Sequence, residues 1–160
     1  MADPLATYLN DHRAGAAGAI ELLEALAERH SGRDLGRFAA DLLVEIRDDR
    51  AILDGLVEAV GSASVLKEAA AWLGEKMSRL KLPGHDEHGL GTFEALEALL
   101  VGITGKRSLW GALALLPDPR VKGPDYARLI ARAEEQIERV DARRLALAPV
   151  ALVEHERNRP

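Results

Sequence analysis

The sequence predicts an all-α fold, a four-helix bundle, on three observations. Aliphatic residues recur at alternating three- and four-residue steps over long stretches, the spacing that stacks side chains on one helix face. Of the 160 residues 48% are hydrophobic but only 4% aromatic, so the core must be built from Leu, Ala, Val and Ile, a mixture that favours helices. Segments rich in Pro and Gly, at Gly61 to Ser64, Leu82 to Gly91 and Pro117 to Pro119, punctuate the periodic stretches. The length suits one domain, residues 1–150, followed by a charged C-terminal tail, 151–160.

The first helix is expected from Pro4 to about Arg29, with Asp3 as N-cap and Pro4 at the first helical position. Leu5, Leu9, His12, Ala16, Ala19, Leu23 and Leu26 share one stripe, which puts His12 among apolar neighbours. Gly15 and Gly18 lie inside this helix at a cost of about 1 kcal/mol each relative to Ala, and close approach of another helix is the expected compensation. The short link His30, Ser31, Gly32 predicts an antiparallel hairpin with the second helix. Ser31 with Asp34 three residues on resembles a capping box.

The second helix, Arg33 to Gly61, carries the main site-like signal. Phe38, Leu42, Glu45, Asp49, Ile52 and Leu56 form one seam, so two carboxylates sit where a core should be apolar. A second stripe, Ala39, Leu43, Ile46, Leu53, Val57 and Val60, broadens the buried face and turns Asp48 and Arg50 towards water. Counting from the hairpin turn brings His12 opposite Asp49 or Glu45. Arg13, Arg50 and Arg107 are the expected counter-charges, because an unpaired buried carboxylate would raise its pKa or destabilise the fold.

A shorter helix is expected beside Trp72, with Leu66, Ala69, Leu73, Met77 and Leu80, followed by a loop holding His85 and His88. Thr92 to Leu116 is the next long helix, with Phe93, Leu96, Leu100, Ile103 and Trp110 inward, Glu97 at the edge of that face, and Gly102 and Gly105 matching the spacing of Gly15 and Gly18. Gly123 and Pro124 open the last helix, in which Tyr126, Ile130, Ala133, Ile137 and Val140 are buried, Glu134 and Glu138 flank them, and Pro149 ends or bends it. The residues between the second and third long helices then form a crossover of about 30 residues containing its own helix, which makes those two long helices parallel.

The net charge of −5 argues against a nucleic-acid backbone as the main partner. The absence of Cys removes disulfides, thiolate metal sites and Cys nucleophiles. No apolar run approaches the ~20 residues that span a bilayer and no signal segment precedes the first helix, so the expectation is a cytoplasmic protein with no membrane partner. Phosphate-binding glycine loops, Gly-x-Ser-x-Gly and His-Glu-x-x-His are all missing, and no catalytic residue stands out.

With one long crossover, the architecture resembles the ferritin-like superfamily. More narrowly, the strings YLNDHRAGAAGAIELL, AAWLGEKMSRLKL and LEALLVGITGKRSLWGAL resemble a group of uncharacterised bacterial helical proteins. The ferritin-like resemblance implies a dinuclear iron or manganese site built from carboxylates and Glu-x-x-His pairs. This chain has no Glu-x-x-His, and Asp48 stands three residues after Glu45 where His would be required. The candidate metal ligands are therefore a different set: His12, Glu45, Asp49, Glu97, Glu134 and Glu138. Three functional readings follow. The leading one is a non-catalytic bundle acting as a homodimer or with a protein partner. The others are a metal-binding or redox bundle, and a small-molecule carrier that uses His12 and Trp110 as polar and aromatic contacts.

Overall fold

A carboxylate and a proline start the first helix as the sequence prescribes. Asp3 accepts a hydrogen bond from the Leu5 N–H at 2.9 Å, and Pro4 occupies the first turn, where its missing N–H costs nothing. The computed structural model describes residues 3–61 and 89–153. Among them are four α-helices: α1 (Pro4–Arg29), α2 (Asp34–Val60), α3 (Leu90–Leu115) and α4 (Tyr126–Ala151). The expectations for Leu66 to Leu80, His85, His88 and the crossover helix lie outside the described residues, as does the tail beyond residue 153.

Three boundaries differ from expectation. Ser31 and Asp34 form no capping box; the N-cap of α2 is Arg33, which makes no side-chain cap bond. The turn is decided instead by Gly32 at φ 78° and by Gly36, whose hydrogen lies where a Cβ would fall 2.1 Å from the His30 carbonyl oxygen. α4 opens at Tyr126, after Gly123 at φ 130°, because Asp125 accepts from the Arg128 N–H at 3.1 Å and so sets the start two residues later than the proline. Its other end runs two residues past Pro149, to Ala151.

Cross-helix pairs fix the directions. Glu24 with Arg47 and Asp54 with Arg13 make α1 and α2 antiparallel, while Glu97 with Arg144 and Arg107 with Glu134 do the same for α3 and α4. Asp34 with Arg143 and Glu45 with Arg139 set α2 against α4. His30 meets Thr92 at 2.9 Å at one end of α1 and His12 approaches Gly105 towards the other, so α3 is antiparallel to α1 and therefore parallel to α2. The expected parallel pair is present.

Burial broadly follows the stripes on α1, α2 and α3, but on α4 the buried face is Leu129, Ala133, Gln136 and Val140, with the expected Tyr126, Ile130 and Ile137 only partly buried. Among the described residues two apolar clusters fill the bundle at different levels. One gathers Leu22, Leu23, Leu26, Phe38, Leu42, Leu96, Leu99 and Ile103; the other gathers Leu9, Leu53, Leu56, Leu109, Trp110, Leu113 and Leu129. Burying such a side chain contributes roughly 1.5–3 kcal/mol, so both clusters stabilise the fold substantially. The guanidinium of Arg143 lies 4.2 Å from the Phe38 ring centroid, and Arg144 lies 5.5 Å from that of Phe93, so α4 covers the first cluster with cations over aromatic faces. No helix among the described residues is long and apolar enough to cross a membrane.

Candidate functional site

Between the two clusters every helix departs from the apolar pattern at the same level. α1 contributes His12 and Gly15 between Leu9 and Ala19, α2 contributes Asp49 between Ile46 and Leu53, and α3 contributes Gly105 and Lys106 between Ile103 and Leu109. α4 supplies Arg132 and Gln136 beyond Leu129. This waist holds a buried polar network on one side and a cavity on the other.

The network is centred on Asp49, only 3% exposed. Lys106 from α3 and Arg132 from α4 each donate to one of its carboxylate oxygens. Lys106 also donates to Gln136 Oε1 at 2.5 Å, and the fully buried Gln136 donates through Nε2 to Glu45 at 2.9 Å. Arg139 closes the chain on Glu45 at 2.6 Å. The carboxylates of the α2 seam are thus real, but Arg13, Arg50 and Arg107 are not their partners. Arg13 and Arg50 pair with Asp54 at 2.9 and 3.5 Å, and Arg107 pairs with Glu134. α4 took that role because its Arg132 and Arg139 lie seven residues apart, two helical turns, on the face turned to Asp49 and Glu45.

Electrostatics follow from the contacts. Burial opposes ionisation of Glu45, but hydrogen bonds from Arg139 and Gln136 and the charges of Arg139 and Arg132 outweigh it, so its pKa lies below the usual carboxylate value. Burial pushes the Lys106 ammonium down, with Arg132 adding to that effect and Asp49 opposing it. Such a group serves specificity more than stability, since the desolvation of each ion offsets much of the attraction.

The cavity has a volume of about 320 Å³ and is walled by α1, α2 and α3. Its surface is mainly apolar, from Ala16, Ala19, Ile46, Leu53, Val101, Ile103, Leu109 and Trp110, with Asp11, His12, Asp49, Arg50 and Lys106 as the polar residues. Gly15, Gly102 and Gly105 line it as well, and a Cβ added at Gly15 or Gly102 would meet nothing within 4 Å. These three glycines therefore do not mark tight backbone contact, as the sequence suggested. They leave space, and at Gly105 the nearest atom to a Cβ would be His12 Cε1 at 4.0 Å. Arg50, expected in water, is half-buried at the cavity wall.

His12 is half-buried and stands edge-on to Tyr8, with ring centroids 4.7 Å apart. It makes no hydrogen bond to Asp49 or Glu45, although it and Asp49 line the same cavity; the partners of Asp49 are Lys106 and Arg132. Burial lowers its pKa despite the opposing charge of Asp11. Trp110 is 1% exposed, and its indole Nε1 has no acceptor among the described residues.

The candidate metal ligands are not gathered. Glu45 and Asp49 are bound to cations, Glu97 and Glu134 pair with Arg144 and Arg107 at the surface, Glu138 is exposed, and His12 hydrogen-bonds to none of them. Among the described residues no group of three or more His, Asp or Glu side chains is placed to hold a metal ion. The acids are neutralised by cations instead: Lys106 and Arg132 hold the two oxygens of Asp49, and Arg139 with Gln136 holds Oε2 of Glu45. Sequence reasoning missed Lys106, Arg132, Gln136 and Arg139. The signal available was a Gln on the buried face of α4, since an amide at such a position demands partners. Compared with protein-family models, with curated proteins and with solved structures, the chain matches none.

Proposed function

We propose that this protein is a small-molecule-binding helical bundle whose ligand occupies the cavity between α1, α2 and α3. The observation that carries this reading is an apolar space of about 320 Å³ at the level where α1 and α3 place glycines rather than side chains. Ligand pockets are concave and mainly apolar, with a few polar groups that fix orientation, and they occur between the helices of bundles. His12 and Trp110, the polar and aromatic contacts expected of a carrier, both line it. The order of helix directions also supports a ferritin-like topology, whereas a ferritin-like metal site has little support from carboxylates already held by Lys106, Arg132 and Arg139.

The test pairs a thermal-shift screen of small apolar compounds with the cavity-filling variant Gly15→Leu. A ligand at about one hundred times its Kd should stabilise the folded state by about 2.7 kcal/mol and raise the melting temperature. Gly15→Leu should fold, because a Cβ there meets open space, and should abolish the shift. A shift of the same size in Gly15→Leu places binding elsewhere and sinks the reading.

A second reading, association with another copy or a protein partner, is favoured by the apolar side chains left outside: Leu115 is 86% exposed, and Leu145, Val150, Leu152 and Val153 are each more than half exposed. Sedimentation across a concentration series tests it, and a constant monomer mass would exclude self-association.

A further inference from the structure

We infer that the cavity takes an uncharged, two-ring-sized apolar molecule bearing a hydroxyl group, which pairs with the imidazole of His12. This rests on the reading of the cavity as a ligand site and names the chemistry that the site selects.

Size comes first. A cavity of ~150 Å³ lined by apolar side chains takes up benzene. Twice that volume, as here, suits two fused rings or an aliphatic body of similar bulk.

Charge comes next. Of the ionised side chains of the wall, Asp49 is held by Lys106 and Arg132, while Arg50 lies 3.5 Å from Asp54 with its Nε buried and without a hydrogen-bond partner. An anionic ligand could approach Arg50 but would lose its hydration against a mainly apolar wall and would face the Asp11 carboxylate, whose Oδ1 is buried without a donor. A cationic ligand would lose its hydration against the same wall and would meet the Lys106 ammonium and the Arg50 guanidinium. Neutral ligands escape both penalties.

His12 then supplies the polar recognition. It lines the cavity and has no hydrogen-bond partner among the described residues; Tyr8 contacts it edge-on, and Gly105 leaves its Cε1 side without a covering side chain. A neutral imidazole offers one donor and one acceptor, and a hydroxyl offers the complement of either. Gly105 is thus a specificity-determining position as well as a gap, because any side chain there would contact His12 and narrow the approach.

The experiment is equilibrium dialysis of the full chain at neutral pH against three probes with one ring system: 2-naphthol, naphthalene and 2-naphthoate. The naphthol should bind about tenfold more tightly than either of the others, the factor that corresponds to one net hydrogen bond of about 1.4 kcal/mol. His12→Phe should bring the ratio of naphthol to naphthalene affinity to about one, while His12→Gln, which keeps a donor and an acceptor, should retain the preference. Should His12→Phe fail to fold, the Gln variant with Gly105→Val gives the same reading, since a blocked approach must cost the naphthol more than naphthalene. Equal binding of naphthol and naphthalene, or stronger binding of naphthoate, overturns the hydroxyl inference while leaving the cavity reading in place. If none of the three binds, both fall.

Discussion

Lys106 on α3 reaches across 57 residues of sequence to donate to the buried carboxylate of Asp49 on α2, and that carboxylate also holds Arg132 of α4. One acid thereby fixes the register of three helices. The arrangement separates the two apolar clusters and supplies one wall of the cavity.

Replacing Asp49 with Ala should cost about 3–5 kcal/mol, because Lys106 and Arg132 would remain partly buried without their anion. Urea denaturation measures it. The double variant Asp49→Leu with Lys106→Met should recover part of the loss, since it removes both buried charges of that pair instead of stranding one. Asp49→Ala with an unchanged midpoint would mean that the network contributes nothing.

Two glycine substitutions should act in opposite directions. Gly36→Ala should destabilise by about 1–3 kcal/mol, because its Cβ would fall 2.1 Å from the His30 carbonyl oxygen and the backbone must shift. Gly15→Ala should stabilise by about 0.5–1 kcal/mol, since the helix loses a flexible residue and the methyl group meets no atom within 4 Å. Melting temperatures decide both. Gly15→Ala below the parent would restore the close-contact reading of that helix face.

Acid should weaken the fold through His12. Its folded pKa is depressed below the ordinary histidine value of 6.5, so the unfolded chain binds the proton more readily. The stability contributed by the neutral imidazole is present above pH 6.5 and is lost as the pH falls from there through the lower folded value. The groups that share its surroundings are Tyr8 and Asp11 on α1, Asp49 and Arg50 on α2, and Lys106 on α3. The melting temperature of His12→Gln should therefore fall less than that of the parent protein between neutral pH and about pH 5. Parallel curves would show that His12 takes up its proton equally in both states.

The sequence by itself determined the helices and their faces. Asp3 and Pro4 start α1, the apolar stripes place Leu9, Leu42, Ile103 and Val140 inside, and a short link makes the first hairpin, because each of these rests on local geometry and on a period of 3.6 residues. It also marked His12, Glu45 and Asp49 as polar positions on buried stripes. What only the tertiary structure decided is which charges meet. Arg13 and Arg107 lie near the acids when positions are counted along the helices, yet the bundle turns them to Asp54 and Glu134 and brings Lys106, Arg132 and Arg139 inward. The glycines followed the same logic. A residue without a side chain permits either close contact or empty space, and the choice depends on the separation of α1 and α3, a quantity set by packing across the whole bundle and written in no single stretch of the chain.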